Sequence, residues 1–143
     1  AAAGLPHLHT EPTRAVDEVV KVDVKVHGCP IDNRELGSIL RSLLAGRMPL
    51  TPTYPVCVEC KQQETVCRYE FNEICLGPVT RAGCGARCPT RGGMWCFGCR
   101  GAAEDPNGEA ARQVMEQYGK TAEDLKSRMA LFQGPAPAGA AKL

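Results

Sequence analysis

An α+β chain in three parts is expected from this sequence: a strand–loop–helix segment, an irregular cysteine-rich module and a short helical tail. Three features support that class. Valines alternate strictly with polar residues from Val20 to Val26, and Leu36, Ile39, Leu40, Leu43 and Leu44 recur at helical spacing. Eight of the nine cysteines fall between Cys57 and Cys99.

The chain has 143 residues, room for one modest domain or a small domain with arms. A formal charge of +1 and a pI near 7.7 make no whole-chain case for a nucleic-acid or membrane-surface partner. No apolar run approaches the roughly 20 residues of a membrane-spanning helix, so no span is expected. Ala1-Ala2-Ala3-Gly4-Leu5-Pro6 has neither the basic flank nor the apolar run of a secretory signal. A cytoplasmic, reducing location is therefore expected, where such cysteines mean metal more often than disulfide.

Residues 1–15, rich in Ala, Pro and polar groups, read as an N-terminal arm, and His7 and His9 within it as exposed or partner-contacting rather than ligating. Residues 16–46 form the strand–loop–helix segment. Val20, Val22, Val24 and Val26 share one face while Lys21, Asp23 and Lys25 share the other, the pattern of a half-buried strand. The turn His27-Gly28-Cys29-Pro30 follows, then a helix opened by the capping pair Asp32 and Glu35 and closed by Gly46 and Pro49. One strand and one helix cannot bury both faces of a sheet, so this segment docks on something else, which points to an obligate complex.

Residues 47–56 read as a proline-punctuated linker and 57–101 as the cysteine module. In the helical tail, 102–133, Asp105-Pro106 starts a helix with Ala110, Ala111, Val114, Met115 and Tyr118 on one face, stopped at Gly119. Thr121 and Asp124 begin a second, carrying Leu125, Met129 and Phe132. Residues 134–143, rich in Pro, Ala and Gly, read as a flexible C-terminus.

The cysteines run Cys57-x2-Cys60-x6-Cys67-x7-Cys75-x8-Cys84-x3-Cys88-x7-Cys96-x2-Cys99. Eight thiolates divide into two sets of four, and four is what one 4Fe-4S cluster takes. The spacers are turn-forming (Gly77-Pro78, Gly83, Gly85, Pro89, Gly92-Gly93, Gly98), which lets backbone N–H groups turn toward sulfur. Between Ile74 and Ala103 there is no acidic residue, while Arg81, Arg87, Arg91 and Arg100 are present; they read either as offsetting an anionic centre or as a solvated face. Two zinc–cysteine sites use the same eight thiols and give the alternative: a zinc-stabilised module for protein or nucleic-acid interaction, without redox function. Disulfides are a third reading.

Cys75-Leu76-Gly77-Pro78-Val79-Thr80-Arg81-Ala82-Gly83-Cys84-Gly85-Ala86-Arg87-Cys88-Pro89, followed by Cys96-Phe97-Gly98-Cys99-Arg100-Gly101, resembles the small subunit of NiFe hydrogenases. The likeness is to the cytoplasmic, multi-subunit branch that couples hydrogen to NAD(P), coenzyme F420 or a disulfide reductase. Val56-Cys57-Val58-Glu59-Cys60-Lys61 matches the start of the same module, and His27-Gly28-Cys29-Pro30 resembles the loop that ends a flavodoxin-like half. The resemblance spans about residues 17–101. It implies that residues 16–46 are the end of a flavodoxin-like domain and that 57–101 is an irregular ferredoxin-like module with two 4Fe-4S clusters. By motif, Cys57, Cys60, Cys67 and Cys75 would hold a distal cluster, and Cys84, Cys88, Cys96 and Cys99 a medial one. Many relatives have His at the first distal position and Pro in place of Cys88; two cysteines here imply two complete cubes.

The implied function is electron transfer between a hydrogen-activating large subunit and a flavin or iron–sulfur reductase subunit. The chain would be the non-catalytic subunit of an oxidoreductase, with no NiFe site, no nucleic-acid partner and no membrane span. The family's proximal cluster needs further cysteines from the flavodoxin-like half, and none precedes Cys29. Cys29 would be one ligand of a shared third cluster completed elsewhere, by a separate chain or the remainder of a longer one, or that cluster is absent. His27 would hydrogen-bond that cluster or cap the turn. Trp95, Tyr69 and Phe71 are expected to shield clusters from water. No nucleophile–base pair, phosphate loop or paired carboxylate suggests catalysis on this chain.

Overall fold

The computed structural model describes residues 14–106 and 108–133. Most of the arm, with His7 and His9, and the tail 134–143 lie outside the described residues. Among those described, six helices form: α1 (Val16–Val19), α2 (Asn33–Leu44), α3 (Val56–Gln62), α4 (Arg87–Thr90), α5 (Gly108–Gln117) and α6 (Ala122–Gln133). A 3-10 turn spans Arg68–Phe71.

Helix α2 starts because Asp32, in extended conformation, accepts the N–H groups of Arg34 at 2.9 Å and Glu35 at 3.1 Å. Glu35 does not return the bond to Asp32, as a capping box would have it; its carboxylate faces Arg100 instead. Helix α6 has the reciprocal box: Thr121 N–H donates to Asp124 at 2.8 Å and Asp124 N–H to the Thr121 hydroxyl at 3.2 Å.

The strand expected over Val20–Val26 is not formed among the described residues. The alternation is visible in exposure, with Val22, Val24 and Val26 half-buried between exposed Lys21, Asp23 and Lys25. A strand, however, is completed by a neighbour that pairs its backbone, and none of the described residues lies alongside to do so. The described residues are thus helices and irregular chain, with two isolated bridges, Pro55 with Arg81 and Thr80 with Ala102. Those bridges stitch the proline-rich stretch into the cysteine module: Val56 N–H donates to Thr80 O at 2.8 Å, Ala82 N–H to Tyr54 O at 3.0 Å and Ala103 N–H to Val79 O at 2.9 Å.

The core is small and joins two stretches of chain. Val56, Tyr69, Leu76 and Val79 of the module pack with Ala111 and Met115 of α5 and with Leu125 and Met129 of α6. The apolar faces of the tail helices therefore cover the module. Cys75 and Cys96 belong to the same cluster of buried groups. A core this thin leaves the irregular loops of the module to be held by hydrogen bonds and by whatever its thiols bind.

Candidate metal centre

The eight clustered cysteines line two separate cavities. Cys57 and Cys60 sit three residues apart on α3, and with Cys67 and Cys75 they border a cavity of about 830 Å³ partly roofed by Val114 of α5 and by Tyr118 just beyond that helix. Cys84, Cys88, Cys96 and Cys99 border a second, of about 140 Å³, on the side of α4 and the Gly28–Pro30 turn. The two meet where Cys96 N–H donates to Cys75 Sγ at 3.2 Å. All nine cysteines are free thiols.

Cys75 and Cys96 are buried, the other six are half-buried, and the thiols crowd one another. Burial first, then the proximity of Cys75, Cys60 and Cys67, pushes the pKa of Cys57 up to about 12. Burial likewise carries Cys96 to about 12 and raises Cys60, Cys75, Cys84 and Cys88. Such thiols stay protonated near neutrality unless a cation binds them, and thiolates are ligands for soft metals and iron–sulfur clusters. Gly77 shows the room that remains: a Cβ there would stand 3.1 Å from Cys57 Sγ and 3.5 Å from Cys75 Sγ. Among the described residues, no group of three or more His, Cys, Asp or Glu is gathered as a single metal ion requires. A cube takes its four thiolates on four different irons, so they surround a volume rather than converge on a point. The donor set is one that suits iron–sulfur clusters.

Cys29 is exposed and, with Gly28 and Pro30, borders the cavity of the trailing quartet. The Cys29–Pro30 peptide is cis. His27 is half-buried, and burial, followed by the charges of Arg81 and Arg100, holds its imidazole below the usual range. Its carbonyl accepts from Arg100 Nη1 at 2.8 Å.

The arginines are largely committed elsewhere. Arg100, with only 2% of its side chain exposed, donates Nη1 and Nη2 to Glu35 at 2.7 and 2.6 Å and Nε to Ala82 O at 2.9 Å. Arg81 is also buried and reaches Glu104 at 2.9 Å and Pro52 O at 3.1 Å. Arg87 pairs with Asp32, and Arg91 is exposed. Arg81 and Arg100 are thus buried in ion pairs, while Arg87 and Arg91 lie on the exposed face. Tyr69 is buried and donates to Cys75 O at 2.9 Å, whereas Phe71 is 56% exposed beneath the Arg68 guanidinium and shields nothing. Trp95 is half-buried between Phe97 and the guanidinium of Arg128.

Glu59 was not singled out by sequence reasoning. Its carboxylate leaves α3 to accept Gly83 N–H at 2.7 Å and Ala86 N–H at 3.1 Å, with Cys84 Sγ 3.9 Å away. The available signal was an acidic residue placed inside the Cys57-x2-Cys60 pair.

No protein-family model matches the chain. The chain is 38% identical over 115 residues to the delta subunit of sulfhydrogenase 2 of Pyrococcus furiosus, covering 80% of this chain and 48% of that protein. It is 32% identical over 142 residues to a vhu subunit of the F420-non-reducing hydrogenase of Methanocaldococcus jannaschii, covering 85% and 49%. It is 28% identical over 116 residues to the iron-sulfur subunit of the F420-non-reducing hydrogenase of Archaeoglobus profundus, covering 62% and 36%. The chain spans about half the length, or less, of these curated relatives. Among the described residues no helix is long and apolar enough to cross a membrane. Over the stretch they share, the chain is a homologue of hydrogenase subunits, one of them named as an iron–sulfur subunit.

Proposed function

We propose that the chain is the electron-transfer subunit of a NiFe hydrogenase, relaying electrons between a hydrogen-activating large subunit and a reductase partner in the cytoplasm. The observation that carries this is the division of eight buried or half-buried thiols between two four-thiol cavities that adjoin at Cys75 and Cys96. The hydrogenase iron–sulfur homologues support the same reading. Cys57, Cys60, Cys67 and Cys75 would hold a distal 4Fe-4S cluster, and Cys84, Cys88, Cys96 and Cys99 a medial one.

Bound clusters supply reversible one-electron storage; the rest is the work of this chain. Helix α3 fixes Cys57 and Cys60 on one face. Gly77 leaves space between Cys57 and Cys75, and the Cys96 N–H offers a hydrogen bond to sulfur of the kind that tunes a cluster's potential. Tyr69 is buried at the wall of the leading cavity, and Leu76 and Val79 are buried in the core behind it. Hydrogen activation would fall to a NiFe centre on another chain.

Cys29 would contribute one ligand to a third, proximal cluster whose other ligands come from a flavodoxin-like half. That half, a separate chain or the rest of a longer protein, would also supply the neighbour that Val20–Val26 needs to complete an α+β domain. The final acceptor, NAD(P), F420 or a similar carrier, would be met through a flavin or iron–sulfur reductase subunit. Anaerobic purification tests the reading. A brown protein with about eight irons and eight sulfides per chain is expected. Colourless protein carrying two zinc ions, or none, removes it.

A further inference from the structure

The loop that carries Cys84 is built around a carboxylate. Gly83 (φ +112°), Gly85 (φ +64°) and Ala86 (φ +47°) all lie in the left-handed region, where successive N–H groups turn to one side and form a concave seat for an anion. Ala86 adopts it despite its Cβ and is fully buried. The anion in the seat is Glu59, which takes the Gly83 and Ala86 N–H groups at 2.7 and 3.1 Å. Its neighbour one turn on, Gln63, donates to Gly85 O at 2.8 Å, so α3 grips the loop at two points.

Glu59 belongs by sequence to the leading Cys-x2-Cys pair but acts on the trailing quartet. Cys57 and Cys60 share a helical face, and residue 59 projects from another. Accordingly Glu59 does not border the leading cavity, while its Oε2 is 3.9 Å from Cys84 Sγ. Among the described residues no ion pair involves Glu59. The cation on that side, Arg100, has its donors on Glu35, His27 O and Ala82 O. The carboxylate is therefore held by neutral N–H groups rather than by an ion pair, beside one ligand of one quartet, with Arg100 acting on it only through space.

We infer that Glu59 is a positioning residue that holds the Cys84 loop in its ligating form and makes the trailing cluster harder to reduce than it would be without that carboxylate. Reduction adds one electron and one negative charge to a cluster, and a fixed carboxylate nearby opposes that addition. The effect falls with distance, so the cluster of Cys84 feels it more than that of Cys57. This inference rests on the two-cluster reading above.

The test uses the full chain in its native complex, purified anaerobically, with iron and sulfide counted before potentials are measured by EPR-monitored redox titration. The trailing signal is identified by its loss in Cys84→Ala. In Glu59→Gln, which keeps the shape and removes the charge, the trailing midpoint potential should rise and the leading one move less. Glu59→Asp should return the trailing potential toward wild type. Gln63→Ala, which removes only neutral contacts, to the Gly85 and Glu59 carbonyls, should leave it in place. If Glu59→Gln instead loses iron from the trailing quartet alone and Glu59→Asp restores it, the positioning role stands. An unmoved trailing potential, equal shifts in both clusters, equal loss of both, or a Gln63→Ala shift as large as that of Glu59→Gln overturns the inference while leaving two loaded clusters in the wild type. Wild-type protein without iron and sulfide overturns both readings together.

Discussion

Cys57 and Cys29 are the same residue type in opposite surroundings. Cys57 is packed among other thiols and burial lifts its pKa to about 12, whereas Cys29 is exposed at the rim of the second cavity. Thiols crowded without a counter-charge are costly to ionise, and a metal centre is what turns that crowding into a stable arrangement. The two-cavity geometry gives a prediction for single ligands. Cys84→Ala should remove or disturb one cluster's EPR signal and spare the other, and Cys57→Ala should do the converse. Equal loss of both signals in each variant would leave the four-by-four grouping without support. Sequence spacing suggests two sets of four and the family resemblance their membership, but the adjoining Cys75–Cys96 contact, across 21 residues, is visible only once the loops are folded.

Among the helices, α2 and α6 are written locally and their caps are legible as residue patterns. Asp32 is the clearest case. The N–H of Glu35, followed after a small opposing effect of burial by the N–H of Arg34 and by Arg87, holds its carboxyl below the ordinary value of 3.8. A carboxyl depressed in the folded state stabilises above its unfolded pKa and loses that contribution as pH falls through the folded one. Asp32→Asn should therefore melt below wild type at pH 6, and the gap should close as pH drops under 3.8, read by circular dichroism. A gap that persists unchanged at pH 2 would show that the charge is not the cause. Helices α5 and α6 are stabilised differently, by burying one face on the module. Met115 is 4% exposed at that seam, and Met115→Ala should cost about 2–5 kcal/mol in denaturant unfolding. A change within about 0.5 kcal/mol would mean that the tail helices do not share the module's core.

Across the full chain, the first third is joined to the module chiefly through Arg100. Its fork pairs with Glu35, 65 residues away, and its remaining donors hold the His27 and Ala82 carbonyls. Gly83 makes the approach possible, since a Cβ there would stand 2.5 Å from Arg100 Nη2. Removing one partner leaves the other charge buried and unpaired. Glu35→Ala should thus lower stability by about 3 kcal/mol and raise amide exchange in α2 and the Gly28–Pro30 turn before the module opens. Exchange that rises uniformly along the chain would sink the idea of a single clamp. The same segment leaves Leu44 at 89%, Met48 at 74% and Leu50 fully exposed, and its valines without a ladder.

What is local or compositional could be read from the residues in order: helix α2 with its Asp32 cap, the Thr121–Asp124 box, the apolar faces of α5 and α6, and eight thiols in spacings that suit two four-iron cubes. These depend on residues within a turn or two of one another, so propensity and spacing are enough. The folded chain was needed to show which thiols share a cavity, that the arginines between them pair with Glu35, Glu104 and Asp32, and that Glu59 of one motif seats the loop of the other. Those contacts join residues 23 to 65 positions apart in an irregular module. No periodic pattern records such pairings, because loop closure and burial, rather than any local preference, select them.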